Sequence, residues 1–356
     1  MAGQARSLGD AVFTPKSIGL IGLSSDPATP AGRVLGFLRR NGCQARIVIV
    51  NPRRHEVQGE PAYTSLAACP EVPEHAYLLL GHDRVETALT ACAAAGVRVC
   101  TVLADGFAEA GAWGAAKQDR LVAIARDAGM RLLGPNSMGV ADLHSGTFLT
   151  VNTIYNEPEP LRGTVSLISQ SGSILGAAVS RAKTLGIGFS RVAAVGNEAD
   201  LGVAELGQAM LDDPNCRVLL LFQETIRDAQ ALAAMAARAH DVGKPVIMYK
   251  LGRSEMGAEM AVAHTGALLA EDSVVDAFLC DIGIARVSTF EGLIEAPMLF
   301  EGHRPYAHTP RIGVLTTTGG GGAMVCDRLA LEGAVLQPPS EATLAAVRDD
   351  GEIRSS

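Results

Sequence analysis

At 356 residues the chain has room for two or three domains, each able to bury a full core. Hydrophobic residues make up 48% and charged residues 19%, which excludes a disordered chain. The balance of 30 basic against 38 acidic residues, a net -8 without any Lys/Arg tract, argues against a nucleic-acid partner.

Residues 1–16 read as a lead-in. Ser17 to Gly22 (SIGLIG) is a short apolar strand, followed by a Gly/Ser/Pro loop and a helix over Gly32 to Arg40. Ile47 to Val50 is the next strand and stops at Asn51-Pro52. Strands at Tyr77 to Leu80, Arg98 to Leu103 and Arg131 to Leu133 continue the series, with Ala-rich helices over Val85 to Ala95 and Gly114 to Ala128 between them. Unalternated apolar strands separated by helices predict a parallel sheet covered on both faces. This first domain is placed at 1–145.

A linker-like stretch follows, most loop-like at Asn156 to Pro160, and the rhythm then repeats. Strands at Thr164 to Ser169, Ser190 to Val195, Arg217 to Phe222 and Pro245 to Tyr249 alternate with helices at Gly172 to Leu185, Val203 to Leu211 and Asp228 to His240. Helical segments at Asp272 to Cys280 and Thr289 to Phe300 close a second open α/β domain, placed at 160–305. A third, at 310–356, offers one strand from Arg311, a helix through Leu331 and a helical stretch over Glu341 to Val347. One such βα unit cannot bury a sheet on both faces, so it is expected to pack on a neighbour or to belong to a longer protein.

The seven cysteines are odd in number and contain no C-x-x-C pair. They are expected as small buried hydrophobes in a reducing cytoplasm. No stretch has the length of a signal peptide or membrane span, so a cytoplasmic chain that meets no membrane is expected.

Three glycine- and hydroxyl-rich loops leave predicted strands and enter helices. Gly22 to Gly32 lacks the G-x-G-x-x-G spacing of a dinucleotide site and fits a different phosphate ligand, or a plain surface loop. Ser169-Gln-Ser-Gly-Ser173 presents Ser171 and Gly172 at a helix start, where negative charge is stabilised. Its spacing is not that of a serine-hydrolase elbow. Thr318-Gly-Gly-Gly-Gly322 presents Gly320 and Gly321 in the same way. The run Lys250 to Ala267 passes through small residues to a single histidine, His264, which is open to catalytic, ligand-contact and structural readings. Glu224 follows a strand at the same sheet end and is suited to accept one imidazole N–H. Metal-ligand spacing is missing, and no metal site is expected.

Taken in order, these segments resemble the NDP-forming acyl-CoA synthetases, relatives of the succinyl-CoA synthetase α subunit. The likeness runs from about Phe13 to Val347. It is carried by SIGLIG from Ser17, Asn51-Pro52, DGFAEAG from Asp105, RLLGPNSMG from Arg131 and SQSGS from Ser169. VGNEAD from Val195, Pro245 to Arg253, and HTGA from His264 complete it. The resemblance implies a Rossmann-like CoA-binding domain, a flavodoxin-like (succinyl-CoA synthetase-like) domain and the start of another.

It also implies roles. Gly22, Ser24, Asn51 and Arg53 would lie by coenzyme A, with Arg53 opposing one of its phosphates, and Asn136 would sit in a loop by the active site. His264 would carry the phosphoryl group, supported by Glu224; Ser171 and Gly172 would receive phosphate. Gly320 and Gly321 would face the active site from the nucleotide side. The implied reaction interconverts a small carboxylic acid, CoA and a nucleoside triphosphate with acyl-CoA, nucleoside diphosphate and phosphate, through an acyl phosphate and a phosphohistidine. ATP or another NTP with Mg2+ would bind an ATP-grasp domain or β subunit, for which these residues hold no recognisable sequence, and an oligomer is expected. The competing reading is a non-catalytic CoA- or acyl-CoA-binding or regulatory module. One departure stands out: Gly81-His82-Asp83 replaces the family's Val-Pro-Ala strand end, leaving His82 open between loop chemistry and catalysis.

Overall fold

A computed structural model describes residues 6–157, 160–254, 256–257, 271–300 and 312–349. Two compact units divide the chain, Met1–His303 and Arg304–Ser356. The first opens with α1 (Leu8–Phe13), where the sequence pattern gives only a lead-in. Ser7 Oγ accepts the Asp10 N–H while Asp10 returns its carboxylate to the Ser7 N–H, each at 3.0 Å. That reciprocal cap lets a six-residue helix bury Ala11, Val12 and Phe13.

The first sheet contains β1 (Ser17–Ile21), β2 (Arg46–Val50), β3 (Glu56–Val57), β4 (Glu60–Tyr63), β5 (His75–Leu78), β6 (Val99–Val102) and β7 (Arg131–Leu133). Their order is β3-β4-β2-β1-β5-β6-β7, parallel but for the β3/β4 pair. Helices α2 (Pro30–Arg40), α3 (His82–Ala95) and α4 (Ala112–Asp127) connect the strands. Every residue of β1, β5 and β6 is buried, as unalternated apolar strands require. The chain reverses direction across the sheet between β1 and β5, which opens a crevice at their carboxyl ends.

The end of the stretch assigned to the first domain and the start of the linker-like one form a hairpin of β8 (Gly139–Asp142) and β9 (Thr147–Thr150), and it belongs to the second sheet. β8 pairs antiparallel with β11 (Phe189–Ala194). With β10 (Arg162–Ser169), β12 (Val218–Gln223), β13 (Val246–Lys250) and β14 (Ala285–Val287) the order is β14-β13-β12-β10-β11-β8-β9. Helices α5 (Gly172–Thr184), α6 (Val203–Leu211), α7 (Ala229–Asp241), α8 (Asp272–Asp281) and α9 (Phe290–Glu295) accompany it. Here the order reverses between β10 and β12, so the exits of those two strands flank the second crevice. One hydrophobic cluster takes in Leu20 and Leu133 of the first sheet, Val140 of the hairpin, and Ile168 and Leu221 of the second. Each such leucine or isoleucine contributes about 2 kcal/mol by burial.

The cysteines depart from expectation. Cys92, Cys100 and Cys216 are buried, Cys43, Cys69 and Cys326 half-buried, and Cys280 exposed. Leu279 is the residue α8 buries, and the next side chain turns away from that face. The described residues of the second unit, taken by itself, form a parallel bridge between Ile312 and Leu336 and two helices, α10 (Gly319–Leu331) and α11 (Glu341–Asp349). Among the described residues no helix is long and apolar enough to cross a membrane.

Candidate functional site

The exits of β10, β12 and β13 meet at the second crevice. Ser171 caps α5, its Oγ accepting the Ile174 N–H at 3.4 Å, and Gly172 begins the helix. Glu224 is the first residue past β12, is buried, and is followed by buried Thr225. Gln170, between Ser169 and Ser171, spends its whole amide on this corner. Its Oε1 accepts the N–H groups of Glu224 and Thr225 at 2.6 and 2.9 Å, and its Nε2 donates to Thr225 O and Glu198 Oε2 at 2.8 and 2.6 Å. From β13, Lys250 Nζ donates to Glu224 O at 2.7 Å and Leu251 O at 2.6 Å. Burial, with Arg286 second, pushes the Lys250 ammonium down to about 8 against the pull of Asp272 and Glu224. Burial likewise raises the Glu198 carboxyl, although the Val203 N–H and Gln170 bond it.

The loop leaving β7 reaches the same place. Gly134-Pro135 is cis, and Asn136 takes a left-handed backbone, φ 58°. Pro135 O accepts the Asn197 N–H at 2.9 Å and Gly134 O the Ala199 N–H at 3.1 Å. Asn136 Nδ2 lies 3.5 Å from Asn197 Oδ1. Met138 packs so closely on α5 that a β carbon on Gly172 would fall 2.5 Å from Met138 Cγ, and the methionine side chain would have to shift to admit it. Asn197 also donates to Glu109 and, at 3.0 Å, to Gln118. Burial works against the Glu109 charge, but bonds from Asn197, Phe107 and Gly106 hold its carboxyl below the usual range. Asn136 thus contacts Asn197, and Glu198, the next residue along the chain, is joined through Gln170 to the Glu224 N–H.

At the first crevice, the Gly22 N–H donates to Val50 O at 3.0 Å. Ser24 lies in the following loop, where Gln58 Nε2 holds Ser24 O and Gly32 O at 2.7 and 2.8 Å. Asn51 follows β2, and its Oδ1 accepts the Arg53 N–H at 3.0 Å, leaving the Arg53 side chain exposed. His82 starts α3 on the surface. Lys117 Nζ sits 3.1 Å from His82 Nδ1, and the Trp113 ring meets it edge-on at 6.1 Å. No acidic partner for the His82 ring occurs among the described residues.

His264 lies outside the described residues, so the structure describes the approach to it only as far as Ser254 and at Met256 and Gly257. Gly320 and Gly321 belong to the second unit, where Thr318 caps α10 by accepting the Gly321 N–H at 3.2 Å. No group of three or more metal-ligating side chains occurs among the described residues. Gln170, Lys250, Asn197 and Glu109 were not singled out by sequence reasoning. All four stand inside motifs that carry the family likeness: Gln170 in SQSGS, Asn197 in VGNEAD, Glu109 in DGFAEAG and Lys250 in the stretch from Pro245 to Arg253.

Comparison with known proteins fits this arrangement. Residues 16–142 match the CoA binding domain family, and residues 162–300 match the succinyl-CoA ligase like flavodoxin domain. The ADP-forming acetate–CoA ligase II subunit alpha of Pyrococcus furiosus is 30% identical over 339 residues, covering 95% of this chain and 72% of that subunit. The chain belongs to the NDP-forming acyl-CoA synthetase family. Within that family, the ADP-forming acetate–CoA ligase of Methanocaldococcus jannaschii is 32% identical over 314 residues, 88% of this chain. The chain spans 43% of that ligase's length. A solved structure of the dinucleotide-forming acetyl-coenzyme A synthetase 1 of Ca. Korarchaeum cryptofilum, with phosphate and ADP, superposes with a TM-score of 0.88 at 28% identity. The overlap covers 96% of this chain and 72% of the other. The chain therefore contains a Rossmann-like CoA-binding domain followed by the flavodoxin-like ligase domain, as the sequence motifs imply.

Proposed function

We propose that the chain is the CoA-binding, phosphohistidine-bearing portion of an acid–thiol ligase that forms a nucleoside diphosphate. The observation that carries this reading is buried Glu224 at the second crevice, one strand from the Ser171–Gly172 helix start. His264 takes the γ-phosphoryl group of a nucleoside triphosphate on an imidazole nitrogen, releasing the diphosphate, with Glu224 holding the opposite N–H. The helix start at Ser171 and Gly172 stabilises the anion as His264 passes the phosphoryl to a carboxylate, giving an acyl phosphate and restoring the imidazole. Bound CoA supplies the thiol that displaces phosphate from the acyl carbon, its proton passing to solvent.

Gly22, Ser24, Asn51, Arg53 and Asn136 fit a CoA role. The exposed Arg53 guanidinium and the α2 N-terminus are suited to phosphate, and the β1 and β5 exits form the crevice in which such ligands bind. Gly320 and Gly321 are assigned to the nucleotide side. The NTP and Mg2+ are assigned to an ATP-grasp domain or β subunit, in an oligomer working in the cytoplasm. For the domain limits, proposed at 1–145, 160–305 and 310–356, the hairpin pairing favours drawing the first back to Met138.

The reading is tested in the direction that needs no nucleotide. The chain is incubated with acetyl-CoA, or a panel of other acyl-CoA esters, plus inorganic phosphate and followed by mass spectrometry. One acid-labile phosphoryl group on His264, lost in His264→Ala with CoA binding retained, is the expected result. CoA binding without any phosphorylation would instead identify a binding module.

A further inference from the structure

We propose that Gln170 and Lys250 are positioning residues for Glu224, gripping its peptide from opposite sides so that its carboxylate works from one pose. The inference rests on the phosphoryl-transfer reading of this site. Past the end of β12 the main chain leaves the ladder, and both backbone polar groups of Glu224 are taken by side chains. The N–H goes to Gln170 Oε1 at 2.6 Å, and the carbonyl receives Lys250 Nζ at 2.7 Å. The Gln170 amide has two donors and two acceptor positions, and all four are used. Reversing it would set N–H against N–H, so its orientation is fixed by its partners.

The grip is buried: Gln170 is 9%, Glu224 6%, Thr225 3% and Lys250 4% exposed. An apolar side chain would fill the Lys250 position without the cost of desolvating an ammonium. What an apolar residue could not do is tie two chain exits together. The same Nζ bonds Glu224 O after β12 and Leu251 O after β13, while the Leu251 N–H donates to Gln223 O at 2.8 Å. Gln170 adds the third exit, after β10, and through Glu198 the fourth, after β11. The acid is thereby referenced to every central strand of the sheet, which a general support to the catalytic histidine requires more than the fold does.

The test uses the 356-residue chain, acetyl-CoA and radiolabelled inorganic phosphate, reading the rate of phosphohistidine formation, the apparent KM for phosphate, the Kd for CoA and the melting temperature. In folded Gln170→Met and Lys250→Met the maximal rate should fall about tenfold or more, with KM and the CoA Kd within about twofold of wild type. Lys250→Arg should recover part of that loss. Gln170→Asn keeps the amide but is one methylene short of spanning Thr225 and Glu198, and it replaces Gln170→Met should that variant not fold. Wild-type rates in the folded variants, or losses matched by equal losses in CoA binding, would overturn the proposal. A wild-type chain that binds CoA yet acquires no label with acetyl-CoA or any other ester of the acyl-CoA panel overturns the ligase reading and this inference with it; a labelled wild type with unaffected variants removes the inference alone.

Discussion

Gly196 lies against Pro135: a β carbon on Gly196 would stand 2.3 Å from the Pro135 carbonyl oxygen and 2.4 Å from that of Asn136. Its φ of 59° adds a second reason for glycine. The loop from the second sheet can approach the main chain of the loop from the first this closely only because residue 196 carries no side chain. Gly196→Ala should cost about 2 kcal/mol or more, through backbone strain and a clash with backbone atoms that cannot yield locally. Denaturant unfolding checks this, and a change below about 0.5 kcal/mol, the scale of an ordinary surface substitution, would refute it.

Arg53 is held at its main chain by the Asn51 side chain while its own guanidinium stays exposed. If it meets a CoA phosphate, Arg53→Ala should weaken CoA binding about five- to tenfold at low salt and less at high salt, because exposed charge pairs are screened. Titration calorimetry at two ionic strengths decides the matter. Equal affinity for variant and wild type at low salt would remove Arg53 from the site.

His75 is fully buried, with Nδ1 at 3.1 Å from Val12 O and Nε2 at 2.7 Å from Thr101 Oγ1. A carbonyl only accepts, so Nδ1 carries the proton and Nε2 accepts from the Thr101 hydroxyl, which describes a neutral ring. Burial pushes its pKa down from 6.5 to about 4, against the pull of Val12, Ala11 and Glu74. The unfolded chain thus binds a proton that the folded chain refuses between those values. Stability should fall as pH drops from 6.5 to about 4, by about 3 kcal/mol in all from this residue. Unfolding curves across that range should be flatter for His75→Gln; an unchanged slope would contradict the assignment.

Lys250 gives the opposite end of the pH scale. Its ammonium is held near 8 in the fold and at 10.5 in the unfolded chain, so the folded state binds fewer protons between the two. Stability contributed at this site should therefore rise, not fall, as pH increases from about 8 to 10.5. Arg286 and Asp272 face the same ammonium, the first lowering its pKa and the second raising it. Lys250→Met should abolish the rise in melting temperature, and a variant that keeps it would place its origin elsewhere.

How much of this was legible in the chain depends on the kind of signal. Strands buried on both faces, such as β1 and β12, write themselves as apolar runs, and the sheets followed from them. The hairpin β8–β9 did not, because Gly139-Val-Ala-Asp and Thr147-Phe-Leu-Thr are four residues each and gain their stability from β11, which lies far away in sequence. The helix α1 is too short for periodicity and is visible only as a capping pair. The places of Glu224, Ser171 and Gly172 in the fold were legible because strand ends and helix starts have local signatures. Gln170 and Lys250 were missed because their meaning lies in partners 54 and 26 residues away, a geometry that adjacency in sequence does not encode.

The hairpin has a practical consequence for anyone wishing to separate the two halves. The CoA-binding match ends at residue 142, the last residue of β8, yet β8 is hydrogen-bonded to β9 and β11 and to no strand of the first sheet. A fragment cut at that point would carry away a strand it has nowhere to place. It would also strip the remaining piece to a bare β11 edge, the kind of exposed edge on which chains aggregate. A cut before Gly139 would return the whole hairpin to its own sheet and leave each strand with its hydrogen-bonded neighbours.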